Sequence, residues 1–145
     1  MRAVIQVVRS ASVSCDDKIV GEVAQGYLIL LAICHNDTED KILKMADKIA
    51  NLRIFMDQEE KMNLSLKDVG GEILLVSQFT LYGDTKKGNR PSFIDSARPD
   101  KAEPYYEKII SLLRDKGFKV ATGIFGAKMS ISLVNEGPTT IIIDL

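Results

Sequence analysis

The sequence predicts an α+β fold: a strongly curved, mainly antiparallel, barrel-like sheet with two principal helices packed on it. Three observations carry that expectation. Short β-branched runs recur along the chain, only two stretches show helical periodicity, and the strand-like segments outnumber those helices. Ala3–Val8 and Ala11–Cys15 are the first β-branched runs, and Asp16-Asp17-Lys18 reads as a turn into Ile19–Val23. Gly26 precedes Tyr27–Ile33, a continuous apolar run of strand length that suits a central strand buried on both faces. A helix follows. Thr38 stands in the capping position, Glu39 and Asp40 lie where the macrodipole favours anions, and Ile42, Leu43, Met45, Ala46, Ile49 and Ala50 recur at helical spacing to an end near Leu52. Asp57–Lys61 and Gly70-Gly71 are turns, and Glu72–Phe79 is the next strand. The second helix begins at Pro99, with Asp100 and Glu103 spaced like a capping box and Pro104 in the first turn. Its stripe is Tyr105, Ile109 and Leu112, reinforced by Tyr106, Ile110 and Leu113, and Gly117 stops it. Lys128–Val134 alternates with period two, and Thr139–Ile143 is the closing strand. With no linker, repeat or low-complexity segment, residues 1–145 read as a single domain.

Charge narrows the functional classes. Lys plus Arg is 19 against 20 for Asp plus Glu, so no global field holds a polyanion and any RNA contact must be local. Cys15 and Cys34 form neither a disulfide framework nor a C-x-x-C pair, which suits reduced thiols in the cytoplasm. Met1–Arg9 lacks the pattern of a signal peptide. The longest apolar run, Tyr27–Cys34, is far short of the roughly 20 residues that cross a bilayer. A soluble, cytoplasmic protein with no membrane partner is expected. His35 is the one histidine, so a metal site built on paired histidines is excluded and a Ser-His-Asp system would have to run through it. It reads as a strand-end residue, and alternation directs Cys34 and His35 to opposite faces, against a Cys–His pair. The acidic residues lack calcium-loop spacing, and no metal or cofactor is implied.

Two segments stand out. In the first, Ser77-Gln78-Phe79-Thr80-Leu81-Tyr82-Gly83-Asp84-Thr85-Lys86-Lys87-Gly88-Asn89-Arg90-Pro91-Ser92-Phe93, three hydrogen-bonding side chains end an apolar strand, and alternation puts Gln78 and Thr80 on one face with Ser77 and Phe79 on the other. An ordinary strand end with a polar turn fits the same pattern. Lys86, Lys87 and Arg90 in the loop beyond are either solvated surface or a grip for phosphate. Near the C-terminus, Asn135-Glu136-Gly137-Pro138-Thr139-Thr140 holds a Gly-Pro step that is either a plain turn or a rigidly aimed carbonyl.

In order, spacing and position these segments, together with Met1–Gln6, Asn51–Phe55 and Lys61–Ser65, resemble the D-aminoacyl-tRNA deacylases over the whole chain. The resemblance implies an active site lined by Ser77, Gln78, Phe79 and Thr80, with Met129 as a pocket residue. It also implies a cis Gly137-Pro138 step that reaches into the partner subunit's site. Gly83, where alanine is frequent, and Lys128, where an acid is frequent, depart from the pattern and bear on loop geometry. The implied reaction is hydrolysis of D-aminoacyl-tRNA at the acceptor end, by a homodimer with its sites at the subunit interface and without DNA as a partner.

That chemistry suits the residues. The ester is already activated, so positioning and oxyanion stabilisation matter more than a strong base. Backbone N–H groups near Phe79 and Thr80 are the expected oxyanion donors, while Ser77 and Gln78 hold the substrate or the attacking water. Thr80 is the one side-chain nucleophile in the motif and has no base beside it, so a positioning role is expected, with the terminal 2′-hydroxyl of the tRNA assisting. Carbonyls of Gly137 and Pro138 that capture the substrate ammonium would collide with the Cβ of an L-residue. Glycine, lacking Cβ, should pass. Two rivals remain: a non-catalytic tRNA-binding module using Lys86, Lys87 and Arg90, and a Thr80-dependent hydrolase of small amino-acid esters.

Overall fold

A computed structural model describes residues 1–145. The elements run β1 (Arg2–Cys15), β2 (Lys18–Val23), β3 (Gly26–Ala32), α1 (Glu39–Asn51), β4 (Arg53–Met56), β5 (Met62–Ser65), β6 (Glu72–Ser77), a 3₁₀ turn (Phe79–Tyr82), α2 (Pro99–Asp115), β7 (Val120–Thr122) and β8 (Ser130–Asp144). The two N-terminal runs expected as separate strands are one strand, β1, the spine of the sheet. Its first half pairs antiparallel with β3, its second half with β2, and its other edge with β8. Register shifts around Val8 bend it. Before the bend Ala3, Ile5 and Val7 face the helices; after it Ala11 and Val13 face the inside of the curved sheet.

The sheet is more mixed than the sequence suggested, because β3–β6 and β6–β7 are parallel. Parallel neighbours need long crossovers, and the two helices are those crossovers: α1 with the small β4–β5 hairpin joins β3 to β6, and α2 joins β6 to β7. The ends of the sheet approach each other where Gly21 of β2 meets the Thr122 carbonyl of β7, leaving a nearly closed barrel.

Helix and sheet share the main core. Tyr27, Ile29, Leu31, Ile73 and Leu75 meet Ile42, Met45 and Ile49 of α1 and Tyr106, Ile109 and Leu113 of α2. Each such side chain contributes about 1.5–3 kcal/mol of burial. Leu43 was expected in the α1 stripe but is exposed, and in α2 Ile109 is buried as expected together with Tyr106, Ile110 and Leu113, while Tyr105 and Leu112 are peripheral. The capping box does not form: Arg98 is the N-cap, so Asp100 lies inside the helix. Pro104 falls in the second turn rather than the first, on the exposed face, where the carbonyl it leaves without an N–H partner can reach water. Thr38 does cap α1 by position, but its hydroxyl bonds the Asp40 carboxylate instead of a backbone N–H.

Candidate active site

Strands β3 and β6 end side by side at Ala32 and Ser77, and the N-terminus of α2 crosses above them. Between them lies a cavity of about 550 Å³, within the roughly 300–1,000 Å³ typical of small-ligand sites. Its walls are mainly apolar, including Ile33, Val76, Phe93, Phe125 and Ile131. Its polar side chains are Ser77, Gln78 and Ser96, and Arg98 is the only ionisable one. No lining carboxylate, imidazole or thiol is present to act as a base.

The strand-end motif is shaped by backbone bonds. Gln78 N–H donates to the Leu31 carbonyl at 2.8 Å, extending the parallel pairing one step past the strand. The chain then folds into the 3₁₀ turn, with Leu81 N–H donating to Gln78 at 3.2 Å and Gly83 N–H to Thr80 at 2.9 Å. The N–H groups of Phe79 and Thr80 make no hydrogen bond. Because the strand stops at Ser77, alternation stops too, and Ser77, Gln78 and Phe79 all line the cavity. Phe79 stands edge-on to Phe93 at 5.2 Å between ring centroids. Thr80 lies just outside the wall, exposed, where its hydroxyl accepts a hydrogen bond from the Gln78 amide.

Arg2 braces the far side of this turn. Its Nη1 donates to the Leu81 carbonyl at 2.9 Å, its guanidinium lies 5.2 Å from the Tyr82 ring centroid, and Nη2 meets Asp144 of β8 at 2.7 Å. Burial pushes the Tyr82 hydroxyl well above the ordinary tyrosine range, keeping it neutral.

Met129 reaches the cavity as expected; an added Cβ at Gly123 would sit 2.4 Å from its Sδ, so the bare glycine makes room for it. Lys86, Lys87 and Arg90 are exposed in a loop closed by the Asp84–Ser92 pair and do not line the cavity. His35 is a strand-end residue whose ring sits 3.1 Å from the Asp95 carbonyl, outside the wall. The expectation that Cys34 and His35 diverge is corrected: Cys34 Sγ lies 3.8 Å from His35 Nδ1, because both fall beyond β3, where strand alternation no longer applies.

Gly137 and Pro138 are exposed on β8 and absent from the cavity wall. Their bond is cis, and Gly137 has φ +112°. A Cβ there would lie 2.6 Å from Thr139 Oγ1. Ser77 pairs with Leu31, Leu31 with Ala3, and Ala3 with Ile143, while the bulge that holds Pro138 spans Gln6 to Val8, so Pro138 is three strand spacings across and about four residues along β1 from the motif. That is about 14 Å laterally and roughly 13 Å lengthwise along the sheet.

Ser96 and Arg98 complete the cavity with no motif to mark them, whereas Phe93 ends the first segment and Phe125 stands four residues before Met129, neither with a role expected from the sequence. The signal nearest to them was the small-residue setting of Met129, with Gly123, Gly126 and Ala127 around it.

A mostly apolar pocket with a few fixed hydroxyl, amide and backbone groups defines a site that receives a small organic group by shape and hydrogen bonding. Residues 4–144 match the D-Tyr-tRNA(Tyr) deacylase family, and the chain belongs to it. It is 56% identical over 144 residues to a D-aminoacyl-tRNA deacylase of Bacillus velezensis, covering 99% of this chain and 98% of that one. With the D-aminoacyl-tRNA deacylase of Thermus aquaticus identity is 54%, over 99% and 95% of the two chains. A Bacillus subtilis protein named inactive D-aminoacyl-tRNA deacylase is 60% identical, but over 129 residues, 89% of this chain and 98% of that one. Among solved structures, a c-Myc DNA unwinding element binding protein superposes with TM-score 0.93 at 37% identity, covering 100% of this chain and 99% of that one. A probable eukaryotic D-amino acid tRNA deacylase shares the fold at TM-score 0.84 and 19% identity, over 99% and 98% of the chains.

Proposed function

We propose that this protein hydrolyses the ester bond of D-aminoacyl-tRNA in the cytoplasm, releasing free D-amino acid and tRNA, and that a second copy of the chain completes each site. The observation that carries the reading is the convergence of Ser77, Gln78, Phe79 and Met129 on one cavity beside two unpaired backbone N–H groups.

The aminoacyl group enters the cavity, and its carbonyl oxygen takes the N–H groups of Phe79 and Thr80. Water adds to the carbonyl carbon, and the negative charge that develops on oxygen is met by donors already in place. Collapse breaks the bond to the ribose oxygen, which leaves with a proton derived from the attacking water. The adjacent ribose hydroxyl of the tRNA relays that proton, a role consistent with a cavity whose one ionisable side chain is a permanently charged arginine. Thr80, outside the wall and bonded to Gln78, orients the amide instead of attacking.

Handedness needs a second element. Gly137 and Pro138 lie too far from their own cavity to reach it, so their carbonyls act in the site of a two-fold partner. Leu133, Val134 and Ile142 leave β8 with exposed apolar side chains, which supports a second copy as its cover. Against fixed carbonyls an L-residue collides through its Cβ, a D-residue directs its side chain outward, and glycine passes. Lys86, Lys87 and Arg90 receive backbone phosphates of the acceptor arm.

One observation favours a second reading, nucleic-acid binding without hydrolysis: the similar solved structure at TM-score 0.93 is named for DNA binding. Purified protein incubated with matched D- and L-tyrosyl-tRNA in the presence of a chelator separates the two. Release of tyrosine from the D-form alone is the expected result; retention of tRNA with no release from either form would leave only the binding reading.

A further inference from the structure

We propose that Ser96 is a positioning residue for the reaction: its hydroxyl fixes the Phe79–Thr80 peptide and thereby the direction of the Thr80 N–H. The inference rests on the reading of that N–H as an oxyanion donor. Ser96 Oγ donates to the Phe79 carbonyl at 2.9 Å. Phe79–Thr80 is a trans peptide, the chain's one cis bond being Gly137-Pro138. In a planar trans unit the carbonyl of one residue and the N–H of the next point in opposite directions and turn together. Holding the Phe79 oxygen therefore holds the Thr80 N–H.

The carbonyls on either side are also held, and the Phe79 carbonyl adds a side chain from another segment to the bonds of the turn. The Gln78 carbonyl accepts from Leu81 N–H and the Thr80 carbonyl from Gly83 N–H, both bonds made within the turn. The Leu81 carbonyl is held by Arg2 at 2.9 Å. The Phe79 carbonyl, which the 3₁₀ turn over Phe79–Tyr82 also offers to the Tyr82 N–H, accepts in addition the hydroxyl of Ser96, a residue of the cavity wall. Ser96 is in turn held from both sides. Ala97 N–H donates to Ile33 at 2.8 Å and His35 N–H to Asp95 at 3.0 Å, so the segment is laced to the end of β3. Cys34 and Ser96 form the bridge between those bonds. The serine thus references the donor peptide to the same strand end that forms the cavity floor.

The experiment uses the full chain and D-tyrosyl-tRNA, with two unreactive adenosine analogues of the ester: a planar amide and a tetrahedral anionic phosphonate. Ser96→Ala should lower kcat about three- to tenfold, the scale of one hydrogen bond, with KM within about twofold. Affinity for the phosphonate should fall by the same factor, while affinity for the amide stays constant. Ser96→Thr, which keeps a hydroxyl at the same atom, should restore kcat and phosphonate binding. Unchanged kcat in Ser96→Ala overturns the proposal. So does parallel weakening of both analogues, which would mark general loosening, or a Ser96→Thr protein of wild-type Tm that turns over no faster than Ser96→Ala. A wild-type protein that leaves D-tyrosyl-tRNA intact would overturn the proposed function and this inference with it; an active wild type matched by Ser96→Ala would overturn this inference alone.

Discussion

The strand end at Ser77–Thr80 and the bulge at Asn135–Thr140 are both places where the chain leaves its sheet, yet they find their targets in different ways. At the first, the carbonyls of Gln78 to Leu81 are all engaged, and three consecutive side chains converge on a cavity formed by the same chain. At the second, Asn135 Nδ2 clamps the bulge by donating to the Val7 carbonyl at 2.8 Å and the Thr139 carbonyl at 3.0 Å, and Arg9 pairs with Glu136. Gly137 and Pro138 are then presented to solvent. The proposed function gives this exposed segment a target in a second copy of the chain. Rigidity is common to both regions; only the first has its counterpart within reach.

Complementation between two damaged proteins puts that difference to the hardest test. Gln78→Ala removes the amide from the cavity, and Gly137→Ala forces a Cβ against Thr139 at a positive φ that L-residues avoid. Each variant alone should lose about 100-fold or more in kcat/KM, the scale of a misplaced substrate. Co-expressed chains pairing at random give half mixed dimers, each with one undamaged site, so about a quarter of wild-type activity should return. A mixture no more active than its components would place cavity and bulge in the same chain's site.

Asn135→Ala sharpens the contrast with a smaller effect. It strips two carbonyls of their donor, which should cost about 1–3 kcal/mol of stability in urea unfolding. On the proposal that the bulge carries the chiral filter, the preference for D- over L-tyrosyl-tRNA should also fall by roughly tenfold. Stability loss with an unaltered preference would show that the clamp serves the fold alone.

The two regions also differ in how far sequence reading reaches them. The donor-rich end of an apolar strand could be recognised residue by residue, and Ser77, Gln78 and Phe79 do line the cavity. Ser96, Arg98 and Phe125 could not, since they arrive from the approach to α2 and the segment after β7, and only tertiary folding brings them together. Alternation identifies a strand but not the sense of its neighbour, so β3 and β6 gave no sign of being parallel. The three residues of β7 are too few to show a period. The exposed pair Arg9-Ser10 after the kink at Val8 divides β1 into two apparent strands, the first contributing Ala3, Ile5 and Val7 to the helix-side core and the second Ala11 and Val13 to the inside of the sheet. Pro104 reads as a first-turn residue only with Asp100 as the cap, and in the structure the cap is Arg98.

A weaker effect should come from the loop that belongs to neither region. Lys86, Lys87 and Arg90 stand clear of the cavity, so neutralising all three should raise KM for D-tyrosyl-tRNA and leave kcat unchanged. If all three meet phosphates, the slope of log affinity against log salt should fall by about two to three units. A salt slope equal to that of the wild type would remove the loop from the tRNA contact.

The smallest expected change lies at the opposite end of β6 from the motif, where Glu72 supplies a control for both regions. Its carboxylate accepts from Lys119 Nζ at 2.8 Å and from Ala24 N–H at 3.1 Å. The Lys119 hydrogen bond chiefly holds its pKa below the ordinary glutamate range, against an opposing effect of burial. A carboxylate with a lowered folded pKa contributes stability that is complete above its unfolded value, about 4.3, and is lost as pH falls through the folded value. Glu72→Gln should therefore lower Tm by about 2 °C at pH 7. The gap should close as the solution is acidified below pH 4, since the protonated wild-type side chain then resembles the amide. Turnover of D-tyrosyl-tRNA at pH 7 should not move, because Glu72 touches neither the cavity nor the bulge. A Tm gap that persists in acid would assign its contribution to packing, and a fall in turnover would mean that the two ends of β6 are mechanically coupled.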